Sequence, residues 1–111
     1  MSFTISKSDE MLMVVLEDKR ATVDISGKFK DQLNEEIEKG NFKVIIDLAV
    51  VEYVDSSFLG ALVAGLKRAT MKNGDLKLVG LQPPVRAMFD LTRLYRIFDI
   101  YESMDDALKS F

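Results

Sequence analysis

The sequence predicts an α/β fold: a mixed, mainly parallel β-sheet of four to five strands covered by about four α-helices, in one domain over residues 1–111. Three observations predict it. Short apolar, β-branched runs alternate with longer stretches in which apolar residues recur every three or four positions. The connections between them are short, which favours right-handed strand-helix-strand units and parallel neighbours. A hydrophobic fraction of 48% over 111 residues is enough for one core and argues against disorder.

The elements follow in order. Residues 3–6 read as a short strand, and residues 11–16 (MLMVVL) as a buried one. Over residues 24–39, Ile25, Phe29, Leu33 and Ile37 recur every four positions among charges, an amphipathic helix that Gly40 ends. Residues 43–48 (KVIIDL) form a central strand that runs through Ala49, Val50 and Val51 into a loop. Asp55 and Ser56 stand where a helix should start, and Asn73-Gly74 should stop it just past Lys72. Residues 75–81 (DLKLVGL) alternate like a strand. Pro84 suits the first turn of the next helix, with Val85, Met88, Phe89 and Thr92 in one stripe. Residues 97–101 read as a short edge strand. Ser103 then caps a last helix carrying Met104, Ala107, Leu108 and Phe111 at i, i+3, i+4 and i+7.

Composition narrows the function. There is no cysteine, hence no disulfide framework or thiolate metal site, and no histidine, the commonest general base and metal ligand. No cofactor or metal is expected, and the balance leans away from an enzyme. Eighteen acidic against fifteen basic residues give a formal charge of −3, whose sign disfavours nucleic acid. No apolar run approaches the ~20 residues that cross a bilayer, and the polar start MSFTISKSDE does not read as a signal peptide. These features predict a cytoplasmic protein without membrane insertion.

The informative stretch is residues 44–66, VIIDLAVVEYVDSSFLGALVAGL. A buried strand delivers Asp55-Ser56-Ser57 to a helix start, where free N–H groups and the positive end of the helix dipole converge. A phosphoryl group on a serine there would add about −1.5 to −2 charges and three strong acceptors. Asp55 would repel it while the helix terminus attracts it. At 100° per residue, Leu59, Leu62, Val63, Leu66 and Thr70 fall on one side, the expected core face. Ser57, Ala61, Ala64, Gly65, Arg68 and Lys72 fall on the other, a face of small residues that lets a backbone approach closely, ending in basic ones. Ser56 and Phe58 lie on the borders. The Phe58 ring is expected to be partly exposed as a partner anchor or packed under the loop at residues 50–53. Small residues on a helix more often admit a neighbouring helix of the same domain, and a serine pair at a helix start is most often only a cap.

Beyond its physical content this stretch resembles the STAS domain of sulfate transporters and anti-sigma-factor antagonists. The family's pattern is a strand ending in D-L, a few residues, then D-S-S/T/A-G-L-G-A-L. Here it is Asp47-Leu48, then Asp55-Ser56-Ser57-Phe58-Leu59-Gly60-Ala61-Leu62. Residues 91–98 (LTRLYRIF), followed by Tyr101-Glu102-Ser103, look like the family's closing pattern, and residues 76–81 fit the strand between. Phe58 replaces the usual glycine, and Lys19-Arg20-Ala21-Thr22 stands where the family often has G-x-L-D.

The resemblance implies that Ser56 is a phosphoacceptor and that Asp55, Ser57, Phe58, Ala61, Ala64, Gly65 and Arg68 contribute to partner binding. It implies a non-catalytic switch. The unmodified domain binds a serine-kinase anti-sigma factor, phosphorylation ends the complex, and a PP2C-type phosphatase restores it. The other reading it allows is a constitutive subunit, similar to the small STAS component of phospholipid-transporting ABC complexes. Formation of a homodimer through the small-residue face is left open.

Overall fold

The computed structural model describes residues 2–111. Its strands are β1 (Phe3–Ser8), β2 (Met11–Leu16), β3 (Arg20–Ala21), β4 (Lys43–Asp47), β5 (Tyr53–Val54), β6 (Asp75–Val79) and β7 (Ile100–Tyr101). The helices are α1 (Val23–Glu38), α2 (Ser56–Met71), α3 (Pro83–Thr92) and α4 (Met104–Lys109), with one 3-10 turn at Leu94–Arg96. The main sheet has the order β1-β2-β4-β6-β7. Only the β1–β2 hairpin is antiparallel; each later pair is parallel, joined by a crossover through α1, α2 or α3. This is the mixed, mainly parallel sheet with four helices that the periodicities predict.

Strand alternation decides which side chains meet the helices. On β2, Leu12, Val14 and Leu16 are buried on one face, and β4 and β6 add Val44, Ile46, Leu76 and Leu78 to it. Phe29, Leu33 and Ile37 of α1, Leu59, Leu62 and Leu66 of α2, and Val85 and Phe89 of α3 close this core. The opposite face of the sheet carries α4 alone, over a small cluster of Ile45, Val79 and Ala107.

Lys77, which pairs in register with Ile45, projects into this second layer and is 5% exposed. Its ammonium donates to the Ser110 carbonyl (3.1 Å) and hydroxyl (2.7 Å) and lies 4.3 Å from the centre of the Phe111 ring. A buried charge is tolerated only when bonded, so Lys77 clasps the end of α4 to the sheet. Lys77→Ala should lower stability by about 1.5–3 kcal/mol, the usual worth of hydrogen bonds to a charged group. Amides of α4 should then exchange with solvent ahead of the main sheet. Unchanged α4 exchange would show the clasp to be inert.

Helix ends agree closely with the sequence signals. Gly40 (φ 106°) follows α1, and Asn73 (φ 64°) follows α2 in the left-handed conformation that asparagine tolerates. Gly74 admits no side chain, because a Cβ there would stand 1.9 Å from the Phe42 carbonyl oxygen. Ser103 caps α4, its hydroxyl accepting from the Asp106 amide at 3.1 Å. Two features differ from expectation. The edge strand is only Ile100–Tyr101, because Arg93 (φ 60°) ends α3 and the chain turns through the 3-10 segment first. A second, two-stranded parallel sheet joins β3 to β5, pairing Arg20 with Tyr53 and Ala21 with Val54.

Candidate functional site

β4 runs at the centre of the sheet, and its C-terminal end feeds the loop that leads to α2. Asp47 turns the chain there by accepting the Ala49 amide at 2.9 Å, and Gln82 donates to the Ala49 carbonyl at 2.7 Å. Leu48, Val51 and Val54 are buried and hold the loop down, while Val50 and Tyr53 point outward. The Glu52 and Tyr53 amides both donate to the Lys19 carbonyl, so this loop is stitched to the segment before α1. The Arg20 guanidinium stacks 4.5 Å from the centre of the Tyr53 ring.

Asp55 ends this loop as the N-cap of α2, with extended backbone (φ −111°, ψ 176°). One carboxylate oxygen, Oδ1, accepts from the Phe58 amide at 2.9 Å; the other, Oδ2, accepts from the Val23 amide at 2.9 Å. Val23 is the first residue of α1, and the residue before it, Thr22, makes no side-chain cap. A single carboxylate therefore serves the N-termini of two helices. Ser56 and Ser57 follow as the first two residues of α2, and both are exposed. Ser56 lies at the helix start, as expected, but the cap is Asp55 alone. Beside Ser57, a shallow groove between the helices is lined by Ser26, Gly27, Lys30, Gly60 and Ala61.

The remaining expected partner residues divide. Phe58 is fully buried, its ring 4.9 Å from Phe29, which in turn meets Phe3 edge-on at 5.4 Å. It is not an exposed anchor; it is part of the core between α1 and α2, in the same buried cluster as Val51 and Val54 of the loop. Ala61 and Gly65 are buried too. A Cβ on Gly65 would lie 2.6 Å from Leu33 Cδ2 and 3.0 Å from Leu76 Cδ1, so α1 and the sheet occupy the space the glycine leaves. The small residues thus admit α1 of the same domain. Ala64 is half-buried. Arg68 is exposed but bonded to Glu38 of α1 at 2.9 Å, with Lys72 3.4 Å from the same carboxylate. Both cations hold the Glu38 carboxyl below its ordinary value, Arg68 first, at a surface where such pairs contribute little to stability.

These corrections share one cause. α2 packs against both the sheet and α1, so its buried arc is wider than one stripe and turned toward α1. Leu59, Leu62 and Leu66 are buried as expected, but Val63 is only half-buried, Thr70 is exposed, and Ala69 takes the place expected for Thr70. Among the described residues there is no cluster of acidic side chains able to hold a metal ion, and no helix long and apolar enough to cross a membrane.

The central strand, the turn at Asp47 and the exposed serine pair at the start of α2 all lie within the part of the chain that matches a known family. The chain belongs to the STAS domain family, whose model matches residues 10–107. It is 27% identical over 111 residues to a candidate anti-sigma factor antagonist of Bordetella bronchiseptica, BtrV, covering 100% of this chain and 95% of that protein. It is 30% identical over 101 residues to a candidate anti-sigma factor antagonist of Thermotoga neapolitana, a homolog of TM1081, covering 90% and 89%. The crystal structure of TM1081 from Thermotoga maritima superposes with a TM-score of 0.87 at 29% identity, over 97% of this chain and 92% of that one. The fold is that of the anti-sigma factor antagonists.

Proposed function

We propose that this chain is an anti-sigma-factor antagonist that works in the cytoplasm by partner switching, as a binding module without catalytic activity of its own. Unmodified, it binds a serine-kinase anti-sigma factor; phosphorylated on Ser56, it is released; a PP2C-type phosphatase returns it to the binding state. The observation that carries this reading is the placement of Ser56. It is exposed at the start of α2, directly after the family's aspartate, and the capping task is taken by Asp55. The hydroxyl is accessible to a kinase, and the fold does not depend on it. A phosphate there would place about −1.5 to −2 charges on the surface between α1 and α2. We assign the partner contact to this exposed margin, with Ser56, Ser57, Lys30 and the half-buried Ala64 at its edge, rather than to Phe58, Ala61 or Gly65, which the domain uses internally.

Ser56→Ala tests the division of labour. Because Asp55 is the cap and alanine is a good helix former, stability should change by less than about 0.5 kcal/mol, well under the loss of a helix cap. Binding to the cognate kinase in a pull-down should persist and become insensitive to ATP. Ser56→Asp should fold normally and bind more weakly, while Ser57→Ala and Ser57→Asp should have smaller effects. Tight binding by Ser56→Asp together with weak binding by Ser57→Asp would move the acceptor by one residue. Equal binding by all four variants would favour a constitutive subunit. Intact and peptide mass of the protein from its native host supplies the direct readout, one added phosphate on Ser56.

A further inference from the structure

We infer that Asp55 carries the effect of a phosphate on Ser56 across to α1, by giving up its bond to the Val23 amide. The inference rests on Ser56 being the acceptor and concerns what modification does to the fold.

Asp55 holds two separate elements at once. Its Oδ1 bond to Phe58 closes the first turn of its own helix, while its Oδ2 bond to Val23 reaches a residue 32 positions earlier. Among the described residues no other side chain caps α1, since the Thr22 side chain makes no cap bond. The two N–H···O bonds, both 2.9 Å, fix the carboxylate in one orientation. Supporting contacts come from the backbone beneath: the Asp55 amide donates to the Ala21 carbonyl at 3.3 Å, and β3 pairs with β5.

A phosphate on the next residue places a second, stronger anion beside that carboxylate, and the two repel. The phosphate is held by the free amides and dipole of the α2 N-terminus, so the carboxylate is the group that must turn. Having turned, it can retain one of its two bonds. The bond to the Phe58 amide closes the turn that Asp55 itself begins, so a rotation of the side chain can keep it. The Val23 amide belongs to another helix, so its bond is the one lost. The first turn of α1 then loses its side-chain cap, and Val23, a residue 64% exposed, is freed with it. The signal spreads from one added phosphate to a surface two helices wide.

The test installs phosphoserine at position 56 by translation-time incorporation, so no cognate kinase is needed, and compares amide exchange by NMR with the unmodified protein. The Val23 amide should exchange about tenfold faster in the phosphorylated protein, the scale set by losing one hydrogen bond. The Phe58 amide and sheet amides such as Ile46 should change little. Val23 exchange that rises no more than that of Ile46 overturns the inference, and so does a loss of protection at Phe58 with Val23 unchanged. Either result leaves partner switching intact, because that reading is decided separately by whether Ser56 of the native protein carries phosphate.

Discussion

Phe58→Ala should destabilise the domain by about 3–5 kcal/mol, the usual loss for a fully buried aromatic side chain cut back to a methyl group. The ring sits in contact with Phe29, and Phe29 meets Phe3, so three rings join α2 and α1 to the first strand. Removing the Phe58 ring opens a cavity between two helices whose backbones are fixed by the sheet below, which limits collapse. It also removes an aromatic pair worth about 0.5–1.5 kcal/mol beyond its area. For a domain of this size the melting temperature should fall by on the order of 20 °C. Calorimetry or urea titration measures the loss. A variant with unchanged melting temperature and weakened partner binding would restore the ring to the role of a partner anchor. Binding must be measured well below the variant's own transition, where the folded population is intact.

Asp55→Ala should cost about 1–4 kcal/mol, because two caps are lost where most helix starts lose one at about 0.5–2 kcal/mol each. The Phe58 and Val23 amides would be left without their acceptors at the ends of two different helices. Asp55→Asn keeps one carbonyl oxygen and should recover part of the loss, and which amide it protects shows which bond the site prefers. Urea titration with an unchanged slope would place the effect in the folded state. Should Asp55→Ala remain within about 0.5 kcal/mol of the parent, the range of an ordinary surface change, the double cap would contribute nothing. An aspartate that looks like a signature for partners therefore has a structural duty large enough to explain why a side chain of this length and charge stands there.

That duty was not legible in the sequence, and the reason is physical. Periodicity reports on neighbours within one element. It located α1 through Phe29, Leu33 and Ile37, and α2 through Leu59, Leu62 and Leu66, all of which are buried. Capping chemistry located the starts at Asp55 and Ser103. A wheel drawn for one helix cannot show that a second helix lies against it, so it sets Ala61 and Gly65 on the open side and Phe58 at its border, where α1 packs and all three are buried. Long-range pairing is equally silent. Two-residue strands have no period, which hides β3 and β5, and threonine is a residue type able to cap a helix, so the idle Thr22 side chain leaves no mark in the sequence. The bond that replaces its cap comes from Asp55, and the pairing of Arg20 with Tyr53 and Ala21 with Val54, with the amide bonds to the Lys19 and Ala21 carbonyls, brings the two places together.

The outer strands of the sheet have a consequence for how the protein behaves in a crowd. β1 lies at one border and presents Thr4, Ser6, Lys7 and Ser8 to solvent; β7, at the other, is only two residues long and is flanked by the exposed acids Asp99 and Glu102. Unpaired strand borders invite further strands, and polar or charged side chains and short length are what discourage them. Copies of this chain are thus poor templates for one another along their strands. A rise in its concentration therefore does not by itself favour strand-to-strand association between copies.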